Sequence, residues 1–303
     1  MKTCVGSADI TSVYEQDVPD MAQFIPSAQP AAVSEIPWLR PNFVDAQGEI
    51  LGVVQSFVVE HGGKLIVVDT CVGDNKDITA VKAWSHRHTG FLARFEGAGF
   101  DPASVDYVLC SHMHLDHVGW NTYLDKDTWQ PTFPNARYLF ARAELDHWAA
   151  VRTEPIADLS GATDGSQTFA ANFHQTQVNV FNQSIKPIID AGLAEIVDPP
   201  CGPLPGLNLA PSPGHTPGHV IIEIESQGEK AVISGDSFHH PCQIAHPEWA
   251  ATPDTDQEAS TETRRKILRE LADTATVLIG THFLEPVVGT IISDGTAYRF
   301  DTR

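Results

Sequence analysis

The chain has 303 residues and a formal net charge of −20, with 42% hydrophobic and 19% charged residues. This balance is typical of a soluble globular protein with a large core, and the negative charge disfavours nucleic acids and anionic membranes as partners. No apolar run reaches the roughly 20 residues that a membrane-spanning helix needs, and the first residues lack the apolar segment of a signal peptide.

The cysteines also bear on the compartment. There are five, an odd number, and no two form a C-x-x-C pair. Free thiols in a reducing environment are the simplest interpretation, so we expect a cytoplasmic protein.

The first 50 residues are rich in proline. The prolines are Pro19, Pro26, Pro30, Pro37 and Pro41. This pattern predicts that residues 1–50 form an irregular arm, packed on the body of the protein or on a partner subunit. Residues 51–303 are expected to form a single domain.

Two elements follow the arm. Val53–Glu60 and Leu65–Val68 flank Gly62-Gly63 and predict a β-hairpin. Thr79–Ala98 has apolar residues at helical spacing and predicts a helix. We interpret His86 and His88, which fall in this segment, as surface or packing residues.

The next apolar run, Val105–Cys110, predicts a buried strand, and it leads into Ser111-His112-Met113-His114-Leu115-Asp116-His117. This H-x-H-x-D-H sequence places three imidazoles and one carboxylate within six residues. A loop at the end of a strand can project such side chains toward a metal, and this ligand set suits borderline divalent ions such as Zn²⁺.

Three later loops repeat the arrangement. His215 lies in a turn-rich S-P-G-H-T-P-G-H run, Asp236 follows the apolar run Ala231–Ile233, and His282 follows Val277–Ile279. We expect His219, in the same loop as His215, to form hydrogen bonds within that loop.

Further predicted strands are Arg137–Phe140, Leu207–Leu209, Val220–Ile224 and Lys230–Ser234, and further predicted helices are Ala143–Val151, Asn172–Asp190 and Thr261–Leu271.

The ordered set of H-x-H-x-D-H, a lone His, a lone Asp and a lone His resembles the metallo-β-lactamase superfamily, from about Phe57 to His282. The resemblance implies the four-layer αββα sandwich, a mixed α/β (α+β) fold, with residues 51–303 as the catalytic domain. It also implies two divalent metal ions, with zinc as the default and manganese, cobalt or iron as alternatives. His112, His114 and His215 would bind one ion, Asp116, His117 and His282 the other, and Asp236 would bridge both. Asp69 would support the metal ligands through hydrogen bonds, or would simply cap the end of its strand.

An Asp rather than a Cys at position 236 is typical, within this superfamily, of glyoxalase II, lactonases and methyl-parathion-hydrolase-like enzymes. The resemblance therefore implies a hydrolase that opens lactones or cleaves aryl esters with a metal-bridging hydroxide, with phosphotriester hydrolysis as a side activity. Asp116 and Asp236 would be the catalytic residues, the substrate a small molecule, and the assembly a homodimer. No further cofactor is implied. The alternatives are a dedicated organophosphate triester hydrolase, a di-iron redox or sensor protein, and a non-catalytic metal-binding protein. The sequence has no G-x-S-x-G motif, which disfavours a serine hydrolase.

Aromatic and histidine residues beside the motifs are candidates for the substrate pocket. They are Trp120, Phe238, His239 and Phe283. The alternative is that the aromatic residues pack in the core and that His239 is structural or faces solvent. Quorum-quenching lactonases often place a Tyr where this chain has Phe238-His239. The departure disfavours specificity for acyl-homoserine lactones and favours the organophosphate and aryl-lactone branch.

Overall fold

Two seven-stranded sheets form the body of the protein in the computed structural model, which describes residues 1–155 and 165–302. The first sheet has the strand order β1-β2-β3-β4-β5-β8-β9, the second runs in order from β10 to β16, and β6 and β7 form a separate hairpin. The strands are β1 Lys2–Val5, β2 Ala8–Asp17, β3 Val53–His61, β4 Lys64–Val68, β5 Tyr107–Leu109, β6 Thr122–Asp125, β7 Thr128–Pro131, β8 Arg137–Ala141, β9 Ala194–Val197, β10 Cys201–Leu204, β11 Leu207–Pro211, β12 Val220–Ser226, β13 Glu229–Ile233, β14 Val277–Ile279, β15 Val288–Asp294 and β16 Ala297–Asp301.

Helices cover the outer faces of the sheets. They are α1 Pro30–Val33, α2 Phe91–Gly97, α3 Arg142–Val151, α4 Gly165–Val180, α5 Lys186–Asp190, α6 Cys242–Ala245 and α7 Gln257–Leu271, with a π-helical turn at Phe181–Ile185 between α4 and α5. Within the described residues, no helix has both the length and the apolar content that crossing a bilayer requires.

The side chains of β3 show why the layers stack. Phe57 and Val59 are buried between the two sheets, whereas Val58 is buried on the outer face beneath the helices. Alternate residues of a strand point to opposite faces, so a continuous apolar strand requires cover on both sides. The αββα sandwich expected from the sequence is confirmed.

The N-terminal segment differs from the predicted irregular arm. Residues 2–17 form the antiparallel pair β1 and β2, which extends the first sheet along β3. The prolines begin only at Pro19, so nothing prevents pairing before that position. Residues 18–52 are largely irregular and pack on the body, where Leu39 and Phe43 are buried.

The predicted helix over Thr79–Ala98 is also shorter than expected. Only Phe91–Gly97 is α-helical. His86 and Gly90 have φ angles of 51° and 72°, and such left-handed residues interrupt a right-handed helix. The backbone N–H groups of Thr79 and Ala80 instead donate to the hydroxyl of Thr176 in α4.

Candidate metal centre

The loops that carry the predicted ligands meet at one edge of the sandwich. The H-x-H-x-D-H loop follows β5, and Asp236 and His282 follow the parallel strands β13 and β14. His215 lies in the connection between β11 and β12. Each ligand-type side chain therefore lies in a loop that begins at the end of a strand.

The first cluster consists of His112, His114, His215 and Asp236, whose ligand atoms all lie within 4.8 Å of one another. His215 Nε2 is 3.1 Å from His112 Nε2 and 2.8 Å from His114 Nδ1. Three imidazole nitrogens therefore converge on one point.

The second cluster consists of Asp116, His117 and His282. The Asp116 carboxylate lies 3.7 Å from His117 Nε2 and 3.6 Å from His282 Nε2. His117 and His282 are buried, and Asp116 is partly exposed.

Asp236 lies between the two clusters, with one oxygen toward each. Its Oδ2 is 3.9 Å from His112 Nε2 and 3.4 Å from His215 Nε2. Its Oδ1 is 3.2 Å from His117 Nε2 and 3.1 Å from His282 Nε2. The structure thus brings together all seven residues predicted as ligands, including the predicted catalytic residues Asp116 and Asp236.

Hydrogen bonds on the side of each ring that faces away from the clusters fix the imidazole tautomers. His215 Nδ1 lies 2.8 Å from Asp254 Oδ1, His117 Nδ1 lies 2.9 Å from Asp69 Oδ2, and His282 Nδ1 lies 2.8 Å from the Val53 carbonyl. Carboxylates and carbonyls only accept, so each Nδ1 carries the donating hydrogen. In the neutral form of each ring, Nε2 then points a lone pair into the centre, as in metal-binding histidines whose other nitrogen donates to a carboxylate or carbonyl.

Two buried acids brace these imidazoles. Asp69 accepts from both the backbone N–H and the hydroxyl of Ser111, and its backbone is in the left-handed region with φ of 54°. Such strain in a non-glycine residue persists only where the surroundings impose it. Asp254 accepts from the Ala251 N–H and faces the guanidinium of the fully buried Arg264.

The charges of the site follow from this packing. Burial and the neighbouring imidazoles hold the pKa of His112 and of His114 well below its ordinary value, so these rings are neutral. Burial opposes protonation of His117 too, but the carboxylates, Asp236 first, outweigh it and raise its pKa. The pKa of Asp236 is held well below its usual value because the surrounding imidazoles, His117 first, outweigh its burial.

This donor set fits divalent metal ions. Among the described residues, His117 Nε2 and Asp236 Oδ1 are buried without a hydrogen-bond partner, and the facing imidazole nitrogens of the first cluster lie 2.8 to 3.1 Å apart. A cation between these groups would satisfy them together, and nitrogen and carboxylate ligands suit zinc. The residues present would therefore hold one ion at each cluster, with Asp236 shared.

An apolar cavity opens above the two clusters. His114, Asp116, Asp236, His239 and His282 form its floor. Its wall includes Val18, Met21, Phe24, Trp84, Phe169 and Phe173. None of the residues that line it, all within the described part of the chain, is Lys or Arg.

Of the four predicted pocket residues, only His239 lines this cavity. Phe238 and Phe283 are buried in the core between the sheets, and Phe283 packs edge-on against Phe43. Trp120 is buried on the other side of the first sheet, where it stacks on Phe91 and donates to Glu15. These three aromatic side chains follow the motifs in sequence but point into the core.

His239 is placed differently. Its Nε2 lies 3.2 Å from Asp236 Oδ2, and neither ring nitrogen has a hydrogen-bond partner within the described part of the chain. His219 lies beneath the site, where its Nδ1 is 2.7 Å from Ser212 Oγ and its Nε2 accepts from the Asp236 N–H.

Asp254, Glu144 and the N-terminal wall of the cavity are not predicted by any pattern in the sequence used above. Asp254 had no local signal, because it lies 39 residues from the imidazole it holds. Glu144 had one: it stands four residues before Trp148, so it faces the same buried side of α3 as that apolar residue. Met21 and Phe24 lie in the proline-rich segment, where no helix or strand periodicity predicts which way their side chains face.

Comparisons with known proteins agree with this geometry. The sequence model of the metallo-beta-lactamase superfamily matches residues 50–282. N-acyl homoserine lactonase AttM of Rhizobium radiobacter is 30% identical over 107 residues, which are 31% of this chain and 36% of that protein. An N-acyl homoserine lactonase of Bacillus sp is 26% identical over 132 residues, which are 43% of this chain and 38% of that protein. The chain thus matches little more than a third of the length of these curated relatives.

Two solved structures share the fold over nearly the whole chain. AidC, a dizinc quorum-quenching lactonase in complex with a product, has a TM-score of 0.79 at 24% identity and covers 100% of this chain and 97% of its own. The hydrolase AbOPH has a TM-score of 0.77 at 24% identity and covers 99% of this chain and 96% of its own. At such identities the likeness establishes the fold alone.

Proposed function

Because the chain belongs to the metallo-β-lactamase superfamily, we propose that it is a dinuclear metal-dependent hydrolase that opens lactones or cleaves aryl esters. The observation that carries the proposal is the position of Asp236, whose two oxygens face two separate sets of imidazoles. Divalent ions bound here supply Lewis acidity, which activates water near neutral pH and polarises an ester carbonyl. Zinc is the proposed metal.

The chain's own residues take the remaining roles. Asp116 lines the cavity and is the more exposed of the two acids, so we assign it the orientation of water and the transfer of a proton to the leaving group through its carboxylate. Asp236 holds the two halves of the site together. His239 has free ring nitrogens at the cavity floor and is assigned a hydrogen bond to the substrate.

The cavity selects for neutral, apolar substrates. Its aromatic wall favours an aryl or acyl group, and the absence of Lys and Arg among its described lining residues disfavours anionic substrates such as glutathione thioesters. A neutral lactone or aryl ester fits this lining.

The same lining supports a second candidate, a dedicated organophosphate triester hydrolase, since such triesters are also neutral and carry aryl leaving groups. The fold shared with AbOPH is compatible with either candidate. A homodimer remains a prediction, to be checked by light scattering of the purified protein.

The deciding experiment compares kcat/KM of the zinc-loaded enzyme on an aryl lactone, an acyl-homoserine lactone and a dimethyl aryl phosphotriester. A strong preference for either lactone supports the leading proposal, and turnover of the acyl-homoserine lactone would overturn the expectation drawn from Phe238-His239. A preference for the phosphotriester supports the second candidate.

A matched pair of variants shows whether the metal centre carries the activity. His282→Gln removes a predicted ligand, whereas His88→Gln makes the same change on a side chain that is 72% exposed. We expect loss of activity only in the first. Full activity of His282→Gln, or of enzyme stripped of metal by a chelator, would refute the proposal.

A further inference from the structure

A buried acid outside both clusters holds the first cluster together. Glu144 lies in the first turn of α3 and is 1% exposed. Its Oε1 accepts from the Met113 N–H at 2.9 Å and from the indole of Trp148 at 2.6 Å. Its Oε2 accepts from the Gly218 N–H at 3.0 Å. Both oxygens are therefore used, and all three donors are neutral.

Two of these donors, the N–H groups of Met113 and Gly218, belong to the two loops that supply the imidazoles of the first cluster. Met113 stands between His112 and His114, and Gly218 lies three residues after His215. A single carboxylate therefore connects the backbones of two loops that are about a hundred residues apart in the chain. Outer hydrogen bonds of this kind set the orientation of ligand side chains and hence metal affinity.

The contact at Gly218 is close enough to constrain its sequence. A Cβ at this position would lie 2.1 Å from the backbone nitrogen of Glu144. Only glycine lets the His215 loop approach α3 this nearly. The loop is therefore seated directly on the helix that carries Glu144.

Glu144 also acts through Trp148. The indole, fixed by its hydrogen bond to Oε1, packs edge-on against the ring of His114 with centroids 5.3 Å apart. The second cluster has separate supports, since His117 is held by Asp69 and His282 by the Val53 carbonyl.

We propose that Glu144 is a positioning residue that fixes the spacing of His112, His114 and His215 and so sets the metal affinity of the first cluster alone. The inference rests on the proposed metal centre, but it concerns binding and not turnover. A carboxylate suits this task because both of its oxygens accept hydrogen bonds, whereas an amide has one accepting oxygen and an NH₂ group that would face a donor.

The test measures one cluster at a time, after a ligand of the other cluster has been replaced. In a His282→Gln background the first cluster remains, and in a His215→Gln background the second remains. Zn²⁺ affinity is measured by competition with a chromophoric chelator, and Co²⁺ absorption reports the ligand geometry. Adding Glu144→Gln should weaken binding by roughly 10- to 100-fold and change the Co²⁺ spectrum in the first background, with less than about a threefold effect in the second.

The chain offers a matched control in Glu15. This acid is also buried and also accepts from two backbone N–H groups and an indole, those of Val72, Gly73 and Trp120. Glu15→Gln should lower stability comparably while leaving Zn²⁺ affinity of the first cluster unchanged.

Equal weakening of both clusters by Glu144→Gln, no weakening of either, or the same loss of affinity from Glu15→Gln would overturn the proposal. If Glu144→Gln fails to fold, Glu144→Asp keeps the charge and shortens the reach, and the same selective loss is expected from it. Because no substrate is used, a protein that binds metal but hydrolyses none of the test substrates would refute the proposed function and leave this inference standing.

Discussion

Replacing Asp254 with Asn should damage both the fold and the first cluster. Asp254 Oδ1 accepts from His215 Nδ1, and Oδ2 accepts from the Ala251 N–H and faces Arg264. An Asn side chain cannot satisfy both sides. With its oxygen toward His215, its NH₂ meets the other donors. With its NH₂ toward His215, the imidazole must move its hydrogen to Nε2, where it blocks a metal.

The magnitude has two parts. The substitution leaves the guanidinium of Arg264 without its carboxylate, and breaking a buried ion pair in this way costs about 3–5 kcal/mol. Arg264 is fully buried but keeps hydrogen bonds to the Pro247 carbonyl and Ser260. We therefore expect the low end, about 3 kcal/mol of unfolding free energy in metal-free protein. The disturbed imidazole should weaken Zn²⁺ binding at the first cluster by roughly 10- to 100-fold.

The assay is urea unfolding in the presence of a chelator, followed by Zn²⁺ titration of the folded protein. Asp256→Asn is the control, because Asp256 caps α7 through the Ala259 N–H and Asn is an equally good cap. The reasoning is refuted if Asp254→Asn retains wild-type stability and binds Zn²⁺ within threefold of wild type.

Three further outcomes are expected. Asp236→Ala should leave fewer than two tightly bound metal ions per chain by elemental analysis and lower kcat/KM at least about 100-fold, because each half of the site loses an oxygen ligand. Phe173→Ala removes a wall residue that packs edge-on to His114, so KM for an aryl substrate should rise about tenfold, or about 1.4 kcal/mol, with kcat kept within a few-fold. Glu15 is buried, and burial raises its pKa from 4.5 to about 7, so stability present below pH 4.5 should be lost as pH rises through 7. This loss amounts to about 3 kcal/mol of unfolding free energy. It should be absent from the Glu15→Gln variant when both proteins are unfolded with denaturant at a series of pH values in the presence of a chelator.

Each of these has a contrary result. Two tightly held ions in Asp236→Ala would show that the carboxylate does not bridge the clusters. An unchanged KM in Phe173→Ala would place the substrate elsewhere. Parallel pH profiles for wild type and Glu15→Gln would mean that the Glu15 carboxyl has an ordinary pKa.

The sequence predicted what depends on neighbouring residues. The apolar runs before His112, Asp236 and His282 are strands, and the loops after them converge because β13 and β14 are parallel and end at the same edge. The spacing of H-x-H-x-D-H also predicts that its ligand side chains lie close together, because all of them belong to one short loop.

What the sequence did not predict depends on contacts between distant segments. Adjacent residues can point in opposite directions, so Phe238 enters the core while His239 lines the cavity. The support that Asp254 gives to His215 and the hydrogen bonds from Glu144 join segments that are separated in the chain, and no spacing rule relates them. The N-terminal strands were not predicted, because the irregular structure indicated by the prolines was assigned to residues 1–18 as well, although the first proline is Pro19.

The cavity takes its floor from residues inside the span of the superfamily pattern and part of its wall from residues that precede that span. The predicted ligands from His112 to His282 all fall within residues 50–282, the span of the superfamily pattern, whereas Val18, Met21 and Phe24 precede it. Substitutions in residues 18–24 can therefore alter which substrates enter without touching the groups that carry the chemistry. A mutant library confined to it would explore selectivity while keeping metal loading intact.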